Sequence, residues 1–380
     1  MKIIIYCQHV LGIGHLVRTL EISRALKRHQ VILVTGGEDA GLSLPDHVRQ
    51  VRLSGLMMDQ GFHRLFATDA AKSLEQAKKE RQEALWTLFQ QEAPDIFLVE
   101  LYPFGRKAFR FELEPVLKGI RSGDLPRCRV ICSLRDILVE KKDAAAYEAR
   151  VLKQLNTYFD ALLVHADPEL LTLDETFTRM NDIAVPVFYS GFVSSVPKAG
   201  AGKSVRAHLG LGPDERFLVA SAGGGKVGGM LLQAVVNAHA LLPRALCLQV
   251  YTGPYLDDNA YDRLKQQQNK ALKVRRFTDN FLSVMDAADL SLSMAGYNTC
   301  MNILATRVPA LVWPFSQNRE QRLRAEKLAR WGWMQVLEES DLHPPKLARL
   351  IANQLAKPFQ PTKSVDLNGA TNTAAWLEAL

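Results

Sequence analysis

Hydrophobic positions along the chain fall into short unbroken runs, separated by longer stretches with helical spacing. "KIIIYC" (2–7) lacks the alternation of a half-exposed strand and reads as a strand buried on both faces. After a glycine-broken loop, Leu16, Leu20, Ile22, Ala25 and Leu26 set an apolar stripe on a helix, and "VILVTG" (31–36) closes a βαβ unit. Further runs at "DIFLVE" (95–100), "RVICSL" (129–134), "ALLVHA" (161–166) and "VFYSGF", ending near 192, alternate with helix-like segments at about 70–91, 105–120 and 144–159. Strands and helices alternating at these lengths predict a parallel sheet covered on both faces.

The stretch "VSSVPKAGAGKS" (193–204) collects Gly, Pro and Ser and reads as a domain linker. A second series follows: "FLVASA" (217–222), a helix from about 229, "ALCLQVYTG" (245–253), "ALKVRRF" (271–277), "LSLSMA" (290–295), "PALVWPF" (309–315) and "MQVLEE" (334–339). The pattern predicts an α/β protein of two Rossmann-like, doubly wound domains, 1–192 and 193–358. A tail helix within 359–380 is expected to pack back on either domain, with the N-terminal one favoured. The cleft between two such domains is the default ligand site, since both sheets can turn their strand C-terminal ends towards it.

Composition narrows the class. With 380 residues, 47% hydrophobic and 23% charged, the chain has the make-up of a globular protein rather than a disordered one. The five cysteines, Cys7, Cys128, Cys132, Cys247 and Cys300, are scattered without a CxxC pair, which favours reduced structural thiols in the cytoplasm over a zinc site. No apolar run reaches the roughly 18 residues of a membrane span, and Met1 leads directly into a strand, so neither export nor membrane insertion is expected. The formal charge of +7 is unevenly placed: residues 1–190 carry 25 Lys and Arg against 25 Asp and Glu, and residues 191–380 carry 22 against 15. That modest bias, with no basic run interleaved with aromatics, suits a phosphate-bearing small ligand and argues against nucleic acid.

Four stretches could carry chemistry. In "GIGH" (12–15), Gly12 and Gly14 lack the third small residue of a dinucleotide fingerprint, Val17 standing there, and no acidic residue ends the second strand. His15 is then either a base or a helix-start histidine. "SAGGGKVGG" (221–229) follows a strand, and Gly223, Gly224 and Gly225 allow backbone close to a phosphate, with a flexible turn as the plain alternative. "AGYNT" (295–299) puts Gly296, Asn298 and Thr299 at a helix start, where they form an anion site or merely a cap. In "SQNREQRLRAEKLARWGW" (316–333), Gln317, Glu320 and Gln321 are read as preceding the helix proper and suit sugar hydroxyls. Its arginines read as a solvated face.

Taken together, "GIGH", "GGG" (223–225), "GYNT" (296–299) and "EQRLRA" (320–325) resemble, in order and spacing, the GT-B glycosyltransferases of family 28, MurG-like in type. The resemblance covers essentially the whole chain. It implies a C-terminal domain for a nucleoside diphosphate sugar, UDP-linked by expectation, and an N-terminal domain for an acceptor, small or lipid-linked. Transfer would be inverting and independent of metal or cofactor. His15 would be the base, Gly12 and Gly14 the acceptor loop, and Gly223 to Gly225 with Gly296, Asn298 and Thr299 the diphosphate site. Phe277 would flank the nucleobase, and Gln317, Glu320 and Gln321 would face the donor sugar. Asn302 stands where the family usually carries a ribose-binding glutamate. For a membrane-bound acceptor, apolar anchors are sought near "GFHRLF" (61–66) and "LYPFGRKAF" (101–109). Two rivals share the fold: a UDP-sugar 2-epimerase or hydrolase, with Glu100, Asp136 and Glu320 as candidate carboxylates, and a non-catalytic sugar-nucleotide-binding protein.

Overall fold

The fold is that of a computed structural model, described for residues 1–380 except 9–13, 38–40, 42, 59–64, 225–226, 244–245 and 317–318. The chain divides into two compact units, Met1–Val193 with Asn368–Leu380, and Ser194–Leu367.

In the first unit the strands are β1 (Lys2–Tyr6), β2 (Gln30–Thr35), β3 (Val48–Arg52), β4 (Leu56–Met58), β5 (Leu65–Ala67), β6 (Ile96–Glu100), β7 (Arg129–Arg135), β8 (Ala161–His165) and β9 (Val187–Tyr189). Its helices are α1 (Gly14–Ala25), α2 (Leu74–Glu92), α3 (Arg110–Ser122) and α4 (Ala144–Tyr158). Seven strands form a parallel sheet in the order β3-β2-β1-β6-β7-β8-β9, and β4 and β5 make a separate antiparallel pair. The central strands are apolar at nearly every position and fully enclosed, as a sheet covered on both faces requires. The edge strand β3, "VRQVR", is mostly exposed, so it carried no continuous apolar signal.

Polar side chains also tie this unit together. Arg81 and Glu112, on α2 and α3, are completely buried. Arg81 donates from Nε to Glu112 Oε2 (2.7 Å) and from Nη2 to Glu112 Oε1 (2.5 Å) and Gln8 Oε1 (3.0 Å). Its Nη1 donates to the carbonyls of Ser54 (2.7 Å) and Gly36 (3.4 Å), and the Tyr6 hydroxyl donates to Glu112. Every guanidinium N–H thus has an acceptor, the condition under which a buried charge pair is tolerated.

The second unit contains α5 (Ala201–His208), β10 (Arg216–Ser221), α6 (Gly229–His239), β11 (Leu246–Tyr251), α7 (Asp258–Lys265), β12 (Leu272–Arg275) and α8 (Phe281–Ala287). It continues with β13 (Leu290–Met294), α9 (Tyr297–Thr306), β14 (Ala310–Trp313), α10 (Arg319–Arg330), β15 (Gln335–Val336) and α11 (Pro344–Ala356). Its parallel sheet runs β12-β11-β10-β13-β14-β15. The stretch expected as a linker runs into the first turn of α5, which packs on α8: a Cβ on Gly202 would lie 2.6 Å from the Asp286 carbonyl oxygen. Glycine there serves close helix packing, not flexibility. The run "MQVLEE" yields only the two residues of β15.

The last helix, α12 (Gly369–Glu378), belongs to the first unit. Trp376 stacks on Phe188 at 5.0 Å, and the Asn372 amide donates to the Ser190 carbonyl at 2.8 Å. Gly369 is required where it touches the chain, since a Cβ would lie 2.4 Å from the Gly191 carbonyl oxygen.

Candidate functional site

Both sheets have a point where successive connections turn to opposite sides, which leaves a crevice at the strand C-terminal ends. In the first unit it lies between β1 and β6, and in the second between β10 and β13. His15 lies at the first of these points, and Gly223, Gly296, Asn298 and Thr299 lie at the second.

At the first, α1 begins at Gly14, so His15 lies in its first turn, while Glu100 ends β6. His15 Nδ1 and Glu100 Oε1 are 2.6 Å apart, and Arg18 Nη2 donates to the same oxygen at 2.5 Å. Arg106 Nε stands 3.9 Å from Glu100 Oε2. Burial alone would raise the Glu100 carboxyl, but His15, Arg18 and Arg106 outweigh it and hold it at about 2. Burial lowers the His15 imidazole to about 4, against the opposing pull of Glu100. At neutral pH an ionised Glu100 can only accept, so the neutral His15 carries its proton on Nδ1 and keeps the Nε2 lone pair. That is the electronic state of a general base oriented by a carboxylate.

A buried polar row continues along the strand ends. His165, on β8, lies 2.7 Å from the Ser133 hydroxyl and 2.9 Å from that of Ser190, which itself donates to the Gly191 carbonyl. Ser190 therefore accepts from His165 Nδ1, and Ser133 donates to Nε2. Burial lowers the His165 imidazole to about 3.

At the second crevice two glycine-bearing turns sit side by side, because β10 and β13 are hydrogen-bonded neighbours. After β10, Gly223 is left-handed (φ 64°) and donates its N–H to Ser221 Oγ at 3.1 Å, and the Gly224 carbonyl accepts from Tyr255 N at 3.1 Å. Gly228 (φ 103°) precedes α6, and Gly296 precedes α9. Neither helix start has a side-chain cap or an acidic residue in its first turn, whereas α2, α4 and α7 are capped by Ser73, Asp143 and Asp257. Uncapped N–H groups and the positive helix end suit an anion. In this start Asn298 is exposed and Thr299 is buried, while Asn302 is half-buried one turn further along α9.

Phe277, 60% exposed, follows β12, two strands from β10. Glu320 and Gln321 differ from the reading that set them before the helix: α10 starts at Arg319, so both lie in its first turn. Glu320 is buried, and Gln321 Oε1 accepts from the Phe315 N–H at 3.2 Å. The arginines of α10 are not uniformly solvated either, since Arg324 is buried with its guanidinium 5.3 Å from the Tyr297 ring centre. Gly12, Gly225 and Gln317 lie outside the described residues.

The proposed anchor near 101–109 is corrected: Tyr102, Phe104 and Phe109 are buried in the first unit and present no apolar surface. In the other segment Phe66 is 45% exposed on β5, and residues 61–64 lie outside the described residues. Among the described residues no helix is long and apolar enough to cross a membrane. Of the carboxylates considered for an epimerase, Glu100 is engaged by His15 and Arg18, and Asp136 and Glu320 are buried. Sequence reasoning missed Glu100 as the partner of His15. Arg18, three residues after His15 and so on the same helix face, was legible by helical spacing.

Residues 222–375 match the glycosyltransferase family 28 C-terminal domain. A UDP-N-acetylglucosamine–N-acetylmuramyl-(pentapeptide) pyrophosphoryl-undecaprenol N-acetylglucosamine transferase from Carboxydothermus hydrogenoformans is 26% identical over 221 residues, 55% of this chain and 57% of that protein. The chain spans about half the length of the curated relatives it matches. Among solved structures, the MurG of Acinetobacter baumannii superposes with a TM-score of 0.58 at 14% identity, covering 100% of this chain and 99% of that one. The UDP-GlcNAc 2-epimerase of Methanocaldococcus jannaschii gives 0.62 at 13% identity, with complete coverage of both. The chain thus has the fold of the GT-B glycosyltransferases, and its residues 222–375 are similar to the family 28 C-terminal domain.

Proposed function

We propose that this protein transfers a sugar from a nucleoside diphosphate sugar, UDP-linked, to an acceptor hydroxyl or amine, with inversion and without a metal. The observation that carries the reading is the pair of uncapped helix starts on neighbouring strands β10 and β13, which supplies N–H donors and two positive helix ends for a diphosphate. His15 Nε2 takes the acceptor proton as the acceptor oxygen or nitrogen bonds to the anomeric carbon. The bond from that carbon to the diphosphate oxygen breaks, and the departing charge is held by the helix ends. Phe277 flanks the base, Asn302 meets the ribose hydroxyls, and Glu320 and Gln321 face the sugar. The acceptor, small or lipid-linked, binds the first unit.

The test is nucleotide release from a panel of nucleotide sugars, with and without acceptors, beside a titration of UDP. Acceptor-dependent UDP release, reduced roughly 100-fold or more by His15→Ala with UDP affinity retained, is the expected result. A chain that binds no nucleoside diphosphate would refute it. A second reading has the epimerase-like fold behind it: UDP release without an acceptor, together with a 2-epimeric sugar, would favour that one.

A further inference from the structure

The second unit holds a cavity of about 530 Å³ that none of the described glycine-turn residues lines. It lies between α5, α8 and the strands β11 and β12. Lys198, His208 and Arg275 line it, with no carboxylate lining it among the described residues. None of these three has an ion-pair partner among the described residues. Gln249, only 3% exposed, lines the cavity as well. Its Oε1 accepts from the Tyr251 hydroxyl at 2.7 Å, and its Nε2 donates to no acceptor among the described residues.

The Gln249 side chain is otherwise enclosed, and its amide N–H is left to donate to a ligand oxygen in the cavity. Two uncompensated cations beside it favour a phosphate. Valine and leucine side chains, Val205, Leu209 and Val284, complete a wall on which a carbon skeleton can lie. The volume lies within the range of small-metabolite sites.

We infer that this cavity binds a small phosphorylated polyol, with its phosphate on Lys198 and Arg275 and an oxygen on the Gln249 amide. The site is separate from the diphosphate turns and does not depend on the transfer reaction proposed above. Thr278 and Asn280 in its wall belong to the segment that also carries Phe277, so an occupant would bear on that segment.

Calorimetric titration of the full chain with glucose 6-phosphate, glucose and UDP, singly and in pairs, tests the inference. Glucose 6-phosphate should bind in the presence of saturating UDP, and glucose should not bind. Lys198→Glu with Arg275→Glu should weaken glucose 6-phosphate at least tenfold while leaving UDP affinity and the thermal midpoint within error. Gln249→Leu should weaken it as well. Displacement of glucose 6-phosphate by UDP, undiminished binding in the double variant, or no binding at millimolar concentration would each overturn the proposal. Failure of UDP itself to bind would count against the transferase reading and leave this site untouched.

Discussion

Replacing Glu100 by glutamine removes one charge and converts an obligate acceptor into a group that can donate. In the native chain its Oε1 accepts from His15 Nδ1 at 2.6 Å and from Arg18 at 2.5 Å. A glutamine amide facing Nδ1 would donate to it, moving the imidazole proton to Nε2 and blocking the base. Wrong-tautomer substitutions of this kind cost about 10²- to 10⁴-fold, or roughly 3–5 kcal/mol of barrier. Arg18 and Arg106, 3% and 11% exposed, would also lose their buried counter-charge, with a stability cost of about 3–5 kcal/mol. Glu100→Asp keeps the charge and should retain more activity than Glu100→Gln. The assay is acceptor-dependent nucleotide release, with UDP affinity as the control, because UDP is assigned to the other unit. The wild-type pH profile gives a second readout. As the proposed base His15 must be neutral, and its imidazole is lowered to about 4, so kcat/KM should stay level as pH falls through 6.5 and decline near 4. A folded Glu100→Gln protein with kcat within threefold of wild type, or an acid limb at 6.5, would refute the reasoning.

Gly36→Ala should destabilise the first unit by about 3 kcal/mol or more, because the new Cβ would lie 2.0 Å from Arg81 Nη1 and dislodge a fully buried charge pair; an unchanged urea midpoint would disprove this. His165 gives a pH-dependent stability. The unfolded imidazole takes a proton below about 6.5, while the native one refuses it until about 3, so stability is full above 6.5 and falls with pH across that window. Denaturation at pH 4.5 should show a loss of roughly 2–3 kcal/mol from this group, reduced in His165→Gln; an equal loss in the variant would assign the effect elsewhere. Asn302→Glu should tighten UDP binding about fivefold or more through charge-assisted hydrogen bonds to the ribose, an increment of about 1 kcal/mol. Unchanged or weaker affinity would remove residue 302 from the ribose.

Alternation of apolar runs with helical spacing determined a great deal: two parallel-sheet α/β domains, most of their strands, and the glycine turns that end β10 and β13. These features are local, and periodicity within ten or so residues encodes them. Residues such as Val48–Arg52 and α5 escaped notice because an edge strand carries few apolar positions and a glycine at a helix contact looks like a glycine in a linker. What only the tertiary structure decided is adjacency. Glu100 lies 85 positions from His15, and they meet because β6, not β2, completes the crevice beside β1. The same holds for Arg81 with Glu112, for Arg324 over Tyr297, and for aromatic side chains at 102–109 that face the core instead of solvent. Sequence spacing sets which residues share a face of one element, while strand order and burial set which faces meet and which charges must find partners away from water.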